Sequence, residues 1–229
     1  MSIRDAFRFQ SQACTALGSP FMGRLMALCA DRLKPGTAAA DRILSWPGDY
    51  RTHADSVPLR LAGALHALRL DGLALAEVYP PHDVPDDALW AAVEDAISAH
   101  SDRVMRWLDS APQTNEVRRS AALLPVLTLV TERFQRPLSL IELGCSGGLN
   151  LQADQMALDA GDRILGDGAS PLRLKPDWSG PAPVMCSVTV ASRFGIDLNP
   201  IDSTTNAGKL TLLAYLWPCL LYTSDAADE

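Results

Sequence analysis

Leu138–Leu151 reads "LSLIELGCSGGLNL". Its first six residues are apolar apart from Ser139 and Glu142, the pattern of a strand buried on both faces. Gly144, Gly147 and Gly148 follow at once, and glycines this dense permit a tight turn and close backbone approach. The next residues, "GLNLQADQMALD", predict a helix. Strand, tight turn and helix in succession begin an α/β layer structure, so this stretch sets the fold class as α/β.

Upstream, the sequence reads as helices. Ser2 and Asp5 make a capping box, and Gly18 stops the first helix. Ser19-Pro20 opens a second through "FMGRLMALCADRL", which "KPGT" breaks. "AADRILSW" is a short third helix, and Pro58 starts "PLRLAGALHALRL", which ends at Asp71-Gly72. "DALWAAVEDAISAHSDRVMRWLD" reads as one long helix capped by Asp86, with Leu89, Val93, Ile97, Val104 and Leu108 at helical spacing. "QTNEVRRSAALLPVLTLVTERF" gives a further helix, with Thr114 or Asn115 as cap and Pro125 placed to kink it. Downstream, "DRILGDGASPLRLKPDWSGPAP" predicts loops or a small hairpin. "VMCSVTVASRFGIDL" predicts a second buried strand, and "KLTLLAYLW" a helix.

The totals suit a globular chain. Its 229 residues can bury a core without staples, at 48% hydrophobic content and a net charge of −7. A mildly acidic chain lacks the broad basic footprint of a dedicated nucleic-acid binder. The five cysteines form no C-x-x-C pair and none sits with a histidine at zinc spacing, so no metal site is expected. "MSIRDAFRFQ" has no apolar core of a signal peptide, and "AALLPVLTLV" is too short to span a bilayer. A cytoplasmic location without membrane contact is the expectation. His66, Trp90 and Trp107 fall on apolar helices and read as core residues.

The glycine turn admits two chemistries. "GCSGG" fits G-x-S-x-G, a nucleophile elbow with Ser146 at its tip. That reading needs a histidine after the serine, and all four histidines (His53, His66, His82, His100) precede it. It also needs several strands upstream, where the sequence reads as helices. Cys145 has no basic partner adjacent in sequence to activate it. The second reading is a nucleotide loop. Glu142 lies two residues before Gly144, at the end of the strand, as in sites for S-adenosylmethionine, where an acidic residue complements the cationic ligand. A second acid normally ends the next strand and accepts from the ribose hydroxyls. Asp197 in "FGIDLNP" suits that role, and Asp167 in "LGDGAS" competes with it. Two departures stand out: Ser146 replaces the usual middle glycine, and Asp197 lies 55 residues after Glu142 where about 20 is usual.

"QTNEVRRSAALLPVL", "LIELGCSGGLNLQAD", "LGDGASPLRL", "GIDLNPID" and "LLAYLWP", in this order, resemble the bacterial family filed as domain of unknown function 2332. The resemblance covers about residues 3–218 and brings no established activity. It implies a site of Glu142, Gly144, Ser146, Gly147, Gly148 and Asn150 in the loop, Asp197 in the later motif, and Asn115, Glu116 and Arg119 before the strand. Members are longer at the C-terminus. The final "CLLYTSDAADE" resembles translated adapter sequence at the end of metagenomic reading frames. The expected organisation is therefore a helical region over 1–112, a truncated Rossmann-like, methyltransferase-like α/β region over 113–218, and a non-native tail over 219–229. With two strong strands, such a chain leaves a sheet edge unpaired and an apolar face partly uncovered. The leading function is an S-adenosylmethionine-binding, methyltransferase-like protein with a small-molecule ligand. A serine hydrolase using Ser146 and a non-catalytic ligand-binding or interaction protein are the alternatives.

Overall fold

The computed structural model describes residues 2–51, 53–183 and 186–218. The expected tail at 219–229 lies outside the described residues. The chain divides into two compact units, one running to Gln113 and including the stretch from Lys209, the other Thr114–Gly208.

The first unit is helical. Helix α1 (Ile3–Ala16) starts at a complete capping box, in which the Ser2 hydroxyl accepts from the Asp5 amide and the Asp5 carboxylate accepts from the Ser2 amide. It ends before Gly18, whose φ of +88° reverses the chain into α2 (Pro20–Arg32). Thr37 caps α3 (Ala38–Leu44) through its side chain. Helix α4 (Val57–Leu70) is buried almost all round and forms the centre of the first core, with Leu61, Leu65 and Leu68 fully covered.

The long helix expected from residue 86 is two helices. Helix α5 (Asp86–Ala99) and α6 (Ser101–Asp109) meet at His100, which has φ −120° and ψ 29°. The break has a tertiary cause. The Ser101 hydroxyl accepts from the Ala39 amide at 3.1 Å, and α6 packs against α3 and α4. Asp86 does not cap α5 with its side chain; it receives Arg24 Nε at 2.5 Å. Trp90 is buried and Trp107 packs against the same core, as expected of core residues.

His66, on α4, is 1% exposed, and its Nδ1 lies 3.1 Å from the Ala214 carbonyl at the end of α8 (Asn206–Ala214). Burial pushes the imidazole down to about 4. A histidine lowered in the folded state binds protons more readily when unfolded, so stability falls as pH drops. We predict that His66 contributes a loss of about 3 kcal/mol between pH 6.5 and 4. His66→Gln, measured by urea melts, should flatten that part of the profile.

The second unit is mixed α/β. Helix α7 (Ser120–Phe134) follows a single 3-10 turn, Val117–Arg119, so Asn115 and Glu116 lie outside the helix that the sequence predicts over them. The Glu116 side chain caps the 3-10 turn by accepting from the Arg118 amide, in place of a cap by Thr114 or Asn115. Strand β1 (Leu138–Leu143) is where the sequence puts it. The helix expected after the glycine turn is a six-residue 3-10 stretch, Asn150–Gln155, followed by strand β2 (Ala157–Ala160). Met156, Leu158 and Ala160, at strand spacing, all enter the second core with Leu124 of α7. That burial overrides helical propensity. Strand β3 (Arg163–Gly166) pairs antiparallel with β2 as a hairpin, and β4 (Arg173–Leu174) pairs parallel with β2. Strand β5 (Val190–Ile196) runs parallel to β1, with Glu142 opposite Gly195 and Leu143 opposite Ile196.

Among the described residues β1 pairs only with β5. Parallel strands are normally covered on both faces. Here Ile141 is 70% exposed, Leu143 77% and Phe194 62%. Apolar surface gathered on a short sheet with an open edge favours association. We predict that the 229-residue chain self-associates with rising concentration in sedimentation velocity. Ile141→Lys with Leu143→Lys should suppress this while changing stability by only about 0.5 kcal/mol. A wild type that stays monomeric throughout contradicts the prediction.

Candidate functional site

The carboxyl ends of β1 and β5 lie side by side; Glu142 is the last residue but one of β1, and Asp197 directly follows β5. The turn between β1 and the 3-10 stretch is left-handed at alternate positions: Gly144 (φ +73°), Ser146 (φ +50°) and Gly148 (φ +68°). Two of these are glycine, which accepts that conformation freely, while Ser146 adopts it as a non-glycine residue held by its neighbours.

Those neighbours are identifiable. The Ser146 amide donates to Asp197 Oδ2 at 2.7 Å, and the Asn199 amide donates to Asp197 Oδ1 at 2.8 Å. The Ile201 amide returns to the Ser146 carbonyl at 3.1 Å. Gly144 and Cys145 both donate to the Ile196 carbonyl, and Gly148 donates to the Cys145 carbonyl. Four amides of the turn (144, 145, 146 and 148) therefore bond within the protein. "NPID" acts here as an Asn-Pro turn closing on Asp197 and Ser146.

The side chains show the opposite balance. Asn115 Nδ2 donates to the Cys145 carbonyl at 2.6 Å, which leaves its Oδ1 buried without a partner. Glu142 Oε2 and Ser146 Oγ are also buried without partners among the described residues. Each such group costs about 1–3 kcal/mol relative to a satisfied one. All three belong to the turn or to residues beside it. Burial raises the Glu142 carboxyl, with Arg119 opposing and Asp197 adding to the rise. The Cys145 thiol is buried and also raised, chiefly by burial, which disfavours the reactive thiolate.

Asn150 is buried and accepts from the Ser120 hydroxyl at 2.9 Å, tying the residues after the turn to the start of α7. Arg119, Glu142, Asn150 and Leu151 line an open cleft of about 550 Å³ along β1, with Leu123 and Leu127 of α7 forming its apolar wall. That volume is in the range of small-molecule sites. The structure thus gathers Asn115, Arg119, Glu142, Gly144, Ser146, Gly147, Gly148, Asn150 and Asp197 around one turn and its cleft. Glu116 caps its own 3-10 turn and has no contact with the glycine turn among its hydrogen bonds. Asp167 belongs to the other sheet, where its Oδ1 accepts from Ala169 in the turn after β3. Asp197 is the acid at the end of the strand paired with β1.

Three positioning residues escaped sequence reasoning. Ser120 has the contact already given. Arg193 of β5 donates to the Leu151 carbonyl at 2.9 Å and pairs with Asp154 at 2.5 Å, which anchors the 3-10 stretch to the strand. Gly195 lies so close to the turn that an added Cβ would meet Cys145 Sγ at 2.6 Å and Cys145 Cβ at 3.1 Å. The only sequence signal for these was the glycine in "SRFGID".

A helical unit and a unit with a parallel strand pair make this a mixed α/β protein with a candidate site at the strand ends. The model of the bacterial family described as "Uncharacterized protein conserved in bacteria (DUF2332)" matches residues 4–219, and the chain belongs to that family. No curated protein and no solved structure matches it. Among the described residues no helix is long and apolar enough to cross a membrane.

The Gly195 contact is testable. Gly195→Ala should destabilise the protein by about 1–3 kcal/mol through overpacking. Adding Cys145→Ala should recover part of the loss, read as a non-additive double-mutant cycle in chemical melts. Strict additivity would disprove the contact.

Proposed function

We propose that the turn between β1 and the 3-10 stretch binds S-adenosylmethionine, and that the protein is methyltransferase-like. The observation that carries this reading is the pair Glu142 and Asp197, at the carboxyl ends of two adjacent parallel strands, with the glycine turn after β1 donating its Ser146 amide to Asp197. Ligands of open α/β sheets sit outside the carboxyl ends of the strands. Two carboxylates with Arg119 as the nearby cation favour a positively charged ligand over an anionic one.

The residues present fit the group. Asp197 accepts one amide on each oxygen, and each oxygen keeps a second lone pair for ribose hydroxyls. Glu142 is poised to complement positive charge. Gly144 leaves open space where a side chain would stand, since a Cβ there meets nothing within 4 Å. The bound group would supply a methyl on a positively charged sulfur. The chain's own part is to bind and orient it, which is where proximity does its work. The cleft of about 550 Å³ beside Glu142 supplies room for a second small molecule.

The serine-hydrolase alternative has less support. Among the described residues Ser146 Oγ has no hydrogen-bond partner, and all four histidines precede it in the chain. The turn amides that would receive an oxyanion are largely occupied.

Isothermal titration with S-adenosylhomocysteine tests the reading. We expect micromolar affinity, on the order of −8 kcal/mol. Binding should weaken as pH falls, starting above the ordinary glutamate range, because Glu142 is raised and its ionised form favours the ligand. Glu142→Gln should weaken binding and flatten this dependence. A folded protein that binds no adenosyl thioether removes the proposal.

A further inference from the structure

We infer that the open edge of β1 is a docking site for an apolar peptide ending in a free carboxylate, which adds as a strand parallel to β1 and brings its carboxylate to Arg119. The inference concerns the cleft along β1 and stands apart from adenosyl binding at the glycine turn.

The cleft of about 550 Å³ is lined by residues 139–143 of β1 and by none of β5. It therefore follows the edge of β1 that carries no strand among the described residues. The Leu138 and Gly144 amides donate to the Thr189 and Ile196 carbonyls, on the side of β5. Backbone groups alternate between the two edges of a strand, so those of Ser139, Ile141 and Leu143 point into the open edge. An edge of this kind is a template for another strand.

The walls set what the edge accepts. Leu123 and Leu127 of α7 flank it with Leu151, and Leu123 is 42% exposed. Apolar side chains at alternate positions of an added strand find cover there. A small apolar molecule would cover the leucines and leave the backbone groups of the edge unmatched, whereas a peptide answers both. Charge selects the end of the peptide. Arg119 stands at the start of α7, where a cation opposes the helix dipole, so the stability of the helix does not explain its place. It is exposed, and its charge acts on Glu142 without an ion-pair contact among the described residues. Glu142 shares the cleft but keeps Oε2 out of solvent, so the charge offered to an incoming chain is that of Arg119. Its effect on Glu142 places Arg119 at the carboxyl end of β1. A peptide whose carboxylate meets Arg119 therefore runs parallel to β1, the direction in which β5 pairs.

Fluorescence anisotropy on the whole chain tests this with a labelled pentapeptide of alternating leucine and valine. Three forms are compared: the free acid, the carboxamide, and the free acid with the amides facing β1 N-methylated. The free acid should bind, and each of the other forms should bind about tenfold more weakly. Arg119→Gln should remove the difference between acid and carboxamide and leave the carboxamide unchanged. Should that variant prove unstable in urea melts, Arg119→Lys, which keeps the charge, should retain a reduced preference for the acid. Absence of binding, equal binding of acid and carboxamide, or undiminished binding of the N-methylated form would overturn the inference. Displacement of the peptide by an equal concentration of decanoate would overturn it in favour of a small apolar acid. A chain that sediments as a dimer and excludes the peptide would overturn it in favour of a second copy at the edge. S-adenosylhomocysteine titrated into the same protein is read separately: its failure to bind removes the adenosyl reading and leaves the docking site standing.

Discussion

The Ser146 amide and the Asp197 carboxylate, 2.7 Å apart, connect the segments that follow β1 and β5 at the carboxyl end of the parallel pair. The rest of the site depends on that contact. It holds a non-glycine residue at φ +50° and aligns the turn with β5. A hydrogen bond to an ionised group contributes about 1.5–3 kcal/mol. That is enough to offset the strain of one left-handed serine. Gly195 makes the approach possible by leaving room for Cys145, and Arg193 fixes the following 3-10 stretch from the same strand. Residues far apart in sequence therefore cooperate because β5 is the immediate neighbour of β1.

That adjacency also explains the unusual separation of Glu142 and Asp197. The chain between them does not return through one long helix. It builds a 3-10 stretch, the β2–β3 hairpin and β4, which pack on α7 through Leu124, Leu158 and Leu165. The inserted residues thus form a core of their own before the chain comes back to β5. One face of the parallel pair is left with Ile141, Leu143, Phe194 and Ile196 exposed. Such a pair gains little from burial, and its local order leans on the hydrogen bonds at its carboxyl end.

Legibility followed burial and spacing. The capping box at Ser2, the stops at Gly18 and Gly72, and strand β1 were readable because each depends on local chemistry. The place of Glu142 near the end of β1, with Gly144 in the turn after it, was readable for the same reason. The break at His100 was not, because it depends on Ser101 meeting Ala39, a contact 62 residues distant. Strand β2 was hidden because "QMALDA" suits a helix until Met156, Leu158 and Ala160 find a shared core. Ser120, Arg193 and Gly195 were hidden for the same reason: each matters only for what it touches in the folded chain.

Hydrogen exchange at the turn tests the central claim most directly. The account holds that Asp197 organises the turn by accepting from Ser146. In the wild type the Ser146 amide should therefore be protected, although it lies in a turn. In Asp197→Ala that protection should be lost and should weaken at Gly144 and Gly148, while the β2–β3 hairpin keeps its own. Unchanged protection at Ser146 in Asp197→Ala, or equal loss across both sheets, would contradict the account.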